Sequence, residues 1–598
     1  MKCKFSQVFY YHRESKLNPI TKRIDIIGLD TEALTTGEPF MFALSNGEAY
    51  SMRDLLGVLF EKRFRGVRFI LYNIKYDEGA LLYHVPIAEL NELRTTGKTY
   101  YEGYTYHSIH GKELRITKDK HTVAFYDICQ FYEMMSLDSA ANKYLGEGKI
   151  DIGSKDFTPH DVTTRWAKIA QYCVRDAVLT AKLADYFIDV LIKELGIFPQ
   201  KLYSCGYIAG IHFSRTCEVV DVNRFWQHHK ELLEYAWDAY AGGKFEIYQR
   251  GYGYFYQYDI NSAYPSEIRN LQDVRLAKVI HSPKYHKGAT YGFLKCRLTI
   301  GTDMFSPIAI KTKELNIYPS GNFVKTITKA EYDYIIEQGE TAEIIDAWWL
   351  YCPKEYPYRE EVDRIYKLKA ELKAKGGDDK MRYSLTKKLL NSFYGKFIQV
   401  TVKHRDNGSV RYEAGYLFNP IYAAVITANT RLKVCRLCDT HPDTMVAVHT
   451  DSVVTTKALH TNGLRLNKAI GGWDLQNEGD GVIIGSGIYQ VGDSIHYRGF
   501  QKIGSLIDIV NTKPHKINVE VPQTLVTSWR QVAFRNEGKE YVNRFESAMK
   551  VLNLHFDNKR TWQRKWDWSG GLVQSLPKFI IEPIEDRACG GLDNRVKV

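Results

Sequence analysis

Asp259-Ile260-Asn261-Ser262-Ala263-Tyr264-Pro265 closes a run rich in Tyr and Phe, Tyr252 to Tyr258, that reads as a strand. A carboxylate at a strand end, followed by a turn and an aromatic ring, suits a site that holds a metal ion and a nucleotide. Two complementary elements lie downstream. Lys387-Lys388-Leu389-Leu390-Asn391-Ser392-Phe393-Tyr394-Gly395 sets Lys387, Asn391 and Tyr394 at i, i+4 and i+7, on one helix face. Thr450-Asp451-Ser452 offers a second carboxylate on another apolar strand. Phosphoryl transfer asks for positioning, metal ions and charge neutralisation rather than covalent help, and Asp259 with Asp451 are the carboxylates expected to serve it. Lys387 can hold a triphosphate as a point charge, and Tyr394 can stack on or beside an incoming base.

A second constellation lies near the N-terminus. Ile24 to Leu29 reads as an apolar strand followed by Asp30-Thr31-Glu32, and side chains two apart on a strand point the same way. Asn73-Ile74-Lys75-Tyr76-Asp77 follows the apolar stretch Val67 to Tyr72. Residues 163 to 195 read as a long helix broken at Gly196 and Pro199, with Tyr172 and Asp176 four apart on one face. Asp30, Glu32, Asp77 and Asp176 are enough for two divalent cations, one to activate water and one to stabilise a leaving oxygen, with a Tyr hydroxyl to orient the water.

In this order, the three downstream elements resemble motifs A, B and C of family B DNA polymerases. The Asn-Ser-x-Tyr-Gly wording of the second resembles the protein-primed branch found in phages and linear plasmids. The N-terminal set resembles the three Exo motifs of 3′–5′ proofreading exonucleases, Asp-x-Glu, Asn-x-x-Tyr-Asp and Tyr-x-x-x-Asp. The resemblance implies Asp30, Glu32, Asp77 and Asp176 as metal ligands and Tyr172 as the water orienter. It implies Asn73 and Tyr76 as contacts to a frayed primer end. Lys149, in Lys149-Ile150-Asp151-Ile152, fits a family lysine motif near this site, whereas Ile128-Cys129 stands where a Ser/Thr-Leu motif is expected after Asp127.

For the polymerase half, the resemblance implies two Mg²⁺ or Mn²⁺ per site, with Asp259, Ile260 and Asp451 as the metal set. Tyr264, Lys387, Asn391, Tyr394 and Ile260 form the implied nucleotide set. Tyr264 is the implied steric gate, since a ring against the sugar leaves no room for a 2′-OH. Implied DNA contacts are Tyr240, Gly242 and Gly243, in a Tyr-x-Gly-Gly stretch whose glycines permit close backbone approach. Ser262, Ser392, Gly395, Tyr489, and the helical pair Thr427 and Arg431 complete the set. The partners implied are primer–template DNA, dNTPs and a terminal protein.

The chain departs from the family twice. Motif C reads His449-Thr450-Asp451, where the family has Asp-Thr-Asp. A protonated His449 would oppose bound cations, and a neutral one is a softer ligand that could shift preference toward manganese. Gly487-Ile488-Tyr489 stands where a Lys-x-Tyr motif is expected, leaving Lys502 or a lysine of the last domain to hold the primer terminus. These departures keep two rivals in view: a chain acting mainly as a 3′–5′ exonuclease with an impaired polymerase site, and a non-enzymatic DNA-binding scaffold.

At 598 residues the chain has room for several domains, and its 44% hydrophobic and 25% charged composition is that of a soluble globular protein. A net charge of +11 favours a polyanionic partner, and 42 Tyr suit base stacking. Cys435-x-x-Cys438 has no second pair nearby, so helical spacing explains it better than zinc, and the ten Cys are expected as free thiols in a reducing compartment. No signal peptide or membrane-spanning run is apparent, so a soluble monomer in the host cytoplasm is expected. The expected fold is multidomain α/β: an RNase H-like exonuclease over 1–190, then a right-hand polymerase over 191–598. Within the latter, the palm is expected at 191–263, 340–357 and 421–525, with a first insertion at 264–339. Fingers at 358–395 form a helical hairpin broken at Gly376-Gly377-Asp378-Asp379. A second insertion at 396–420 forms a β-hairpin around Asp406-Asn407-Gly408, and the thumb spans 526–598.

Overall fold

A computed structural model of the chain describes residues 3–11, 20–154, 156–312, 315–375, 380–404, 409–459, 466–501, 504–512, 518–554, 559–563 and 571–581. Two large sheets carry the two groups of carboxylates. The first has eight strands. Its three central strands, Ile26–Ala33, Arg68–Leu71 and His121–Asp127, are parallel, with antiparallel strands on either side. The strand predicted over Ile24 to Leu29 therefore starts later and runs further, and Asp30 and Glu32 belong to the strand itself.

The helix Pro159–Leu195 packs across Ile26–Ala33. It begins a turn earlier than the apolar periodicity suggests because Thr158 and Asp161 form a capping box around Pro159. Gly196, at φ 61°, ends it in the left-handed conformation. Its 37 residues span about 55 Å, so one helix serves the first site and also packs into the core shared with the C-terminal half.

The second sheet runs in the order Lys244–Ile247, Met445–Thr450, Ser452–Thr455, Gln249–Ile260, Trp473–Gly485, Ile488–Val491, Ser494–Tyr497, with every neighbouring pair antiparallel. The helix Pro420–Thr440 covers one face, where Val434, Leu437 and Cys438 meet Tyr258, Ile260, Val448 and Val453. Cys435 and Cys438 both lie buried on this helix.

The inserted unit is larger than the sequence suggested. The strand Thr341–Tyr351, expected in the catalytic sheet, pairs with both Lys278–His281 and Tyr291–Ile300 and fills a separate five-stranded sheet with Ala347 and Trp349. Its apolar side chains face that sheet's own core, which fixes its membership. The helices Arg359–Lys375 and Lys380–Phe393 pack against each other as expected. The break at Gly376 to Asp379 and the turn at Asp406 to Gly408 lie outside the described residues. Strands Val400–His404 and Val410–Ala414 pair antiparallel, and Val8–Phe9 adds a parallel third strand.

The last segment is not a separate body. Trp529, Val532, Ala533 and Val542 sit in one hydrophobic core with Leu29, Phe69 and Leu93 of the first domain. Val573–Pro577 returns to pair with Gln249–Ile260. Among the described residues, no helix is long and apolar enough to cross a membrane.

Candidate active sites

The first site is a cavity of about 960 Å³. Asp30, Glu32, Asn73, Tyr76, Asp77, Lys149, Tyr172 and Asp176 all line it, so every residue singled out for this site converges there. Asp30 and Glu32 come from a strand, Tyr76 and Asp77 from the helix Ile74–Leu81, and Tyr172 and Asp176 from the long helix. Lys149 Nζ donates to Tyr172 Oη at 3.1 Å and forms an ion pair with Asp176. Thr31 Oγ1 donates to Asp77 Oδ1 at 2.8 Å.

Burial pushes the Asp30 carboxyl well up, and the neighbouring Glu32, Asp176 and Asp77 add to it while Lys149 opposes. Asp77 is raised to about 7, chiefly by burial. Four crowded carboxylates, with Asp30 and Asp77 pushed up by burial, are an arrangement that divalent cations would relieve. Asp176 Oδ1 is buried and accepts no hydrogen bond, which leaves an oxygen for such a cation.

Asp127 was met in the sequence only as a landmark. Its Oδ1 accepts the backbone N–H of Asn73 and of Cys129, both at 3.0 Å, and so holds Asn73 at φ 71° in the left-handed region. Ser528, Arg530, Phe534 and Phe545, from the last segment, close the outer wall of the cavity. No local pattern could have announced them.

The second site lies at one end of the second sheet. Asp259 pairs with Ser452 across neighbouring strands, which brings Asp259 beside Asp451. Ile260 N–H donates to the Asp451 carbonyl at 2.9 Å. Both carboxylates line a cleft of about 540 Å³ with His449, Tyr489, His496 and Arg498. Asp259 is raised to about 7 by burial and by Asp451, with Lys387 and Lys369 pulling it back. Burial also raises Asp451.

Above the cleft, Lys387 and Asn391 lie on the exposed side of their helix. Tyr264 stacks on Tyr394 with ring centroids 4.0 Å apart and planes at 30°. Ser262, at φ 51°, caps the helix Ala263–Arg269 and accepts from Lys369 Nζ at 2.9 Å. Ser392 and Gly395 sit half-buried beside Tyr394. Lys369 escaped the sequence reading because it is one of several lysines on an evidently solvated helix. Burial lowers its ammonium to about 8, with Lys387 next.

Two expected DNA contacts prove to be internal. Thr427 is fully buried and its hydroxyl donates back to the Ala423 carbonyl at 3.0 Å. Arg431 is 1% exposed. It donates to the carbonyls of Ala241 at 2.7 Å, Gly242 at 2.9 Å and Pro307 at 3.0 Å, and pairs with Glu331 at 2.6 Å. Arg431 thus clamps the loop that follows the half-buried Tyr240. Gly243 in that loop must be glycine, because a Cβ there would lie 2.5 Å from Thr450 Cγ2 and 3.1 Å from Tyr264 Oη. The loop therefore abuts both the motif C turn and the stacked tyrosines.

His449 is buried and neutral. Burial, with His496 and Arg498 nearby, lowers its imidazole to about 3, which favours the neutral form of the two considered from the sequence. Tyr489 is 3% exposed, and its hydroxyl accepts from Gln257 Nε2 at 3.3 Å. Gly487 has φ 78°, and a Cβ there would lie 2.8 Å from Cβ and Cδ of Arg498. The cation lining this cleft is Arg498, from the strand-end next door. Lys502, considered for that role from the sequence, lies outside the described residues.

Residues 166–406 match the family model described as DNA polymerase type B, organellar and viral. Among solved structures, the chain resembles Phi29 DNA polymerase complexed with primer-template DNA and incoming nucleotide substrates, with a TM-score of 0.61, 14% identity, and coverage of 89% of this chain and 100% of that one. It also resembles Phi29 DNA polymerase complexed with single-stranded DNA, with a TM-score of 0.58, 14% identity, and coverage of 84% and 97%. No curated relative matches the chain in sequence. At this identity the structures establish a shared fold.

Proposed function

We propose that this chain, whose residues 166–406 match the organellar and viral type B DNA polymerase model, carries out template-directed DNA synthesis primed by a terminal protein and edited by its own 3′–5′ exonuclease. The observation that carries this reading is the juxtaposition of Asp259 and Asp451 at one sheet end, near Lys387, Lys369 and the Tyr264–Tyr394 stack. Asp259, Asp451 and the Ile260 backbone would hold two divalent ions, Mg²⁺ or Mn²⁺, which would supply charge neutralisation on the triphosphate. Lys387 and Lys369 hold the phosphates. Tyr264 lies against the sugar and selects deoxyribonucleotides, and Tyr394 backs the Tyr264 ring. The primer hydroxyl attacks the α-phosphate and pyrophosphate leaves.

In the first cavity, Asp30, Glu32, Asp77 and Asp176 are the residues that hold divalent ions for hydrolysis. Tyr172, fixed by Lys149, orients the attacking water, and Asn73 and Tyr76 hold the frayed primer end. The five-stranded inserted sheet is the surface offered to a terminal protein, and the enzyme works as a monomer in the host cytoplasm on primer–template DNA. A neutral His449 and the presence of Arg498 in the cleft are both compatible with synthesis.

The test is primer extension by Asp30→Ala/Asp77→Ala protein with labelled primer–template, dNTPs and either Mg²⁺ or Mn²⁺. Extension that vanishes when Asp451→Ala is added supports the reading. No extension with either metal, while wild-type protein degrades the primer, sinks it.

A further inference from the structure

The strand Gln249–Ile260 carries a buried amide two residues before Asp259. Gln257 and Asp259 share the open face of the strand and both line the cleft, while Tyr258 and Ile260 turn into the core beneath the helix Pro420–Thr440. Gln257 is 7% exposed. Its Nε2 donates to Ser452 Oγ and to Tyr489 Oη, each at 3.3 Å, and its Oε1 accepts from Asn477 Nδ2 at 3.2 Å. One side chain thus ties together the strand of Asp259, the residue after Asp451 and the strand of Tyr489.

The orientation of that amide follows from its neighbours. Ser452 Oγ donates its hydrogen to the Tyr258 carbonyl at 2.9 Å, so toward Gln257 it can only accept. The amide nitrogen must therefore face Ser452, and its second hydrogen goes to Tyr489. A phenol oxygen that accepts in this way keeps its own hydrogen to donate elsewhere. Gln257 Oε1 is already engaged by Asn477, and the Tyr489 ring is held between His449 and His496. Burial pushes the phenol up to about 12, and the nearby Asp259 adds to this, so the hydroxyl keeps its proton on the side of the metal-site carboxylate.

We propose that Gln257 is a positioning residue of the polymerase site. By donating to Tyr489 Oη, it directs the phenol hydrogen into the cleft, where that hydrogen holds an oxygen of the primer end beside Asp259 and Asp451. An apolar side chain of similar size would fill the same space and leave the phenol hydrogen undirected. This rests on the polymerase reading of the cleft and assigns to Gln257 a part in it that acts only through Tyr489.

The test is single-turnover extension of a labelled primer–template by full-length Asp30→Ala/Asp77→Ala protein carrying Gln257→Met, Tyr489→Phe or both. Asn477→Ala, which frees the amide from the half-buried rim of the cleft, is the milder second variant and decides alone if Gln257→Met fails to fold. Gln257→Met and Tyr489→Phe should each slow extension at saturating dNTP roughly tenfold, and the double variant should be no slower than either. Asn477→Ala should slow it about threefold, and only where Tyr489 is present. The Mg²⁺ concentration for half-maximal rate should stay within about twofold of the parent, which a displaced Asp259 would not allow. Losses that multiply to roughly a hundredfold in the double variant, or a raised Mg²⁺ requirement, overturn the positioning role and leave the polymerase reading intact. A parent protein that extends no primer with either Mg²⁺ or Mn²⁺ overturns both.

Discussion

The His449 imidazole lies flat on the Tyr489 ring, with centroids 4.3 Å apart and planes 12° from parallel, and Tyr489 stacks in turn on His496 at 4.3 Å. Both nitrogens of His449 are buried without a partner. Three flat rings thus occupy the floor of the polymerase cleft, where the family pattern has a carboxylate and a lysine nearby.

The stack makes a prediction about acid stability. The folded-state value of His449, about 3, is below its ordinary 6.5, so the unfolded chain takes up the proton first. The stability gained by keeping the ring neutral is present above pH 6.5 and is lost as pH falls toward 3. Wild-type protein should lose about 3 kcal/mol more than His449→Phe between about pH 6.5 and 4. Thermal unfolding of both proteins across that range checks it, and parallel curves would refute it.

Restoring the family lysine at position 487 should not help. Gly487→Lys places a side chain at φ 78° and onto Arg498, at a cost of about 1–3 kcal/mol. The expected result is a lower melting temperature and no gain in primer extension. Arg498→Ala, by contrast, should slow extension roughly tenfold through the loss of a charge-assisted contact. Faster extension by Gly487→Lys would show that Arg498 does not hold the lysine's place.

Arg431→Met should be among the most destabilising single changes in the polymerase half. It strands Glu331 in the interior and frees three carbonyls, at about 3–5 kcal/mol. The salt dependence of DNA binding by the folded fraction should stay as in wild type, because the side chain reaches no phosphate. A reduced salt slope would restore the DNA-contact role read from the sequence.

Gly243→Ala separates the two activities. The added methyl meets Thr450 and displaces the turn that carries Asp451, so extension should fall by about 10- to 100-fold. Excision of single-stranded DNA should be unchanged, since the first cavity lies on another sheet. Equal loss of both activities in a gel assay would argue against this local effect.

The contrast between these residues explains what could be read in advance. Asp30 and Glu32, or Tyr172 and Asp176, share a face through strand or helix periodicity alone, and Asp259 and Asp451 are marked by the apolar strands that precede them. Arg431 was misread because a charged residue on a helix usually meets water. Its partner, Glu331, lies a hundred residues upstream. Arg498 reaches the cleft from the end of a different strand, and Lys369 is hidden among like charges. Thr341–Tyr351 has an apolar pattern that fits either sheet, and only its pairing partners decide between them.

The docking of Trp529 into the first domain bears on the order of synthesis. Leu29, Phe69 and Leu93 are translated before the whole stretch 94–528, and the ring that seals them comes only after it. The N-terminal domain must therefore wait with an open hydrophobic flank while the whole polymerase half is built. Nascent chains halted before residue 529 should bind chaperones or aggregate rather than accumulate as a free-standing nuclease.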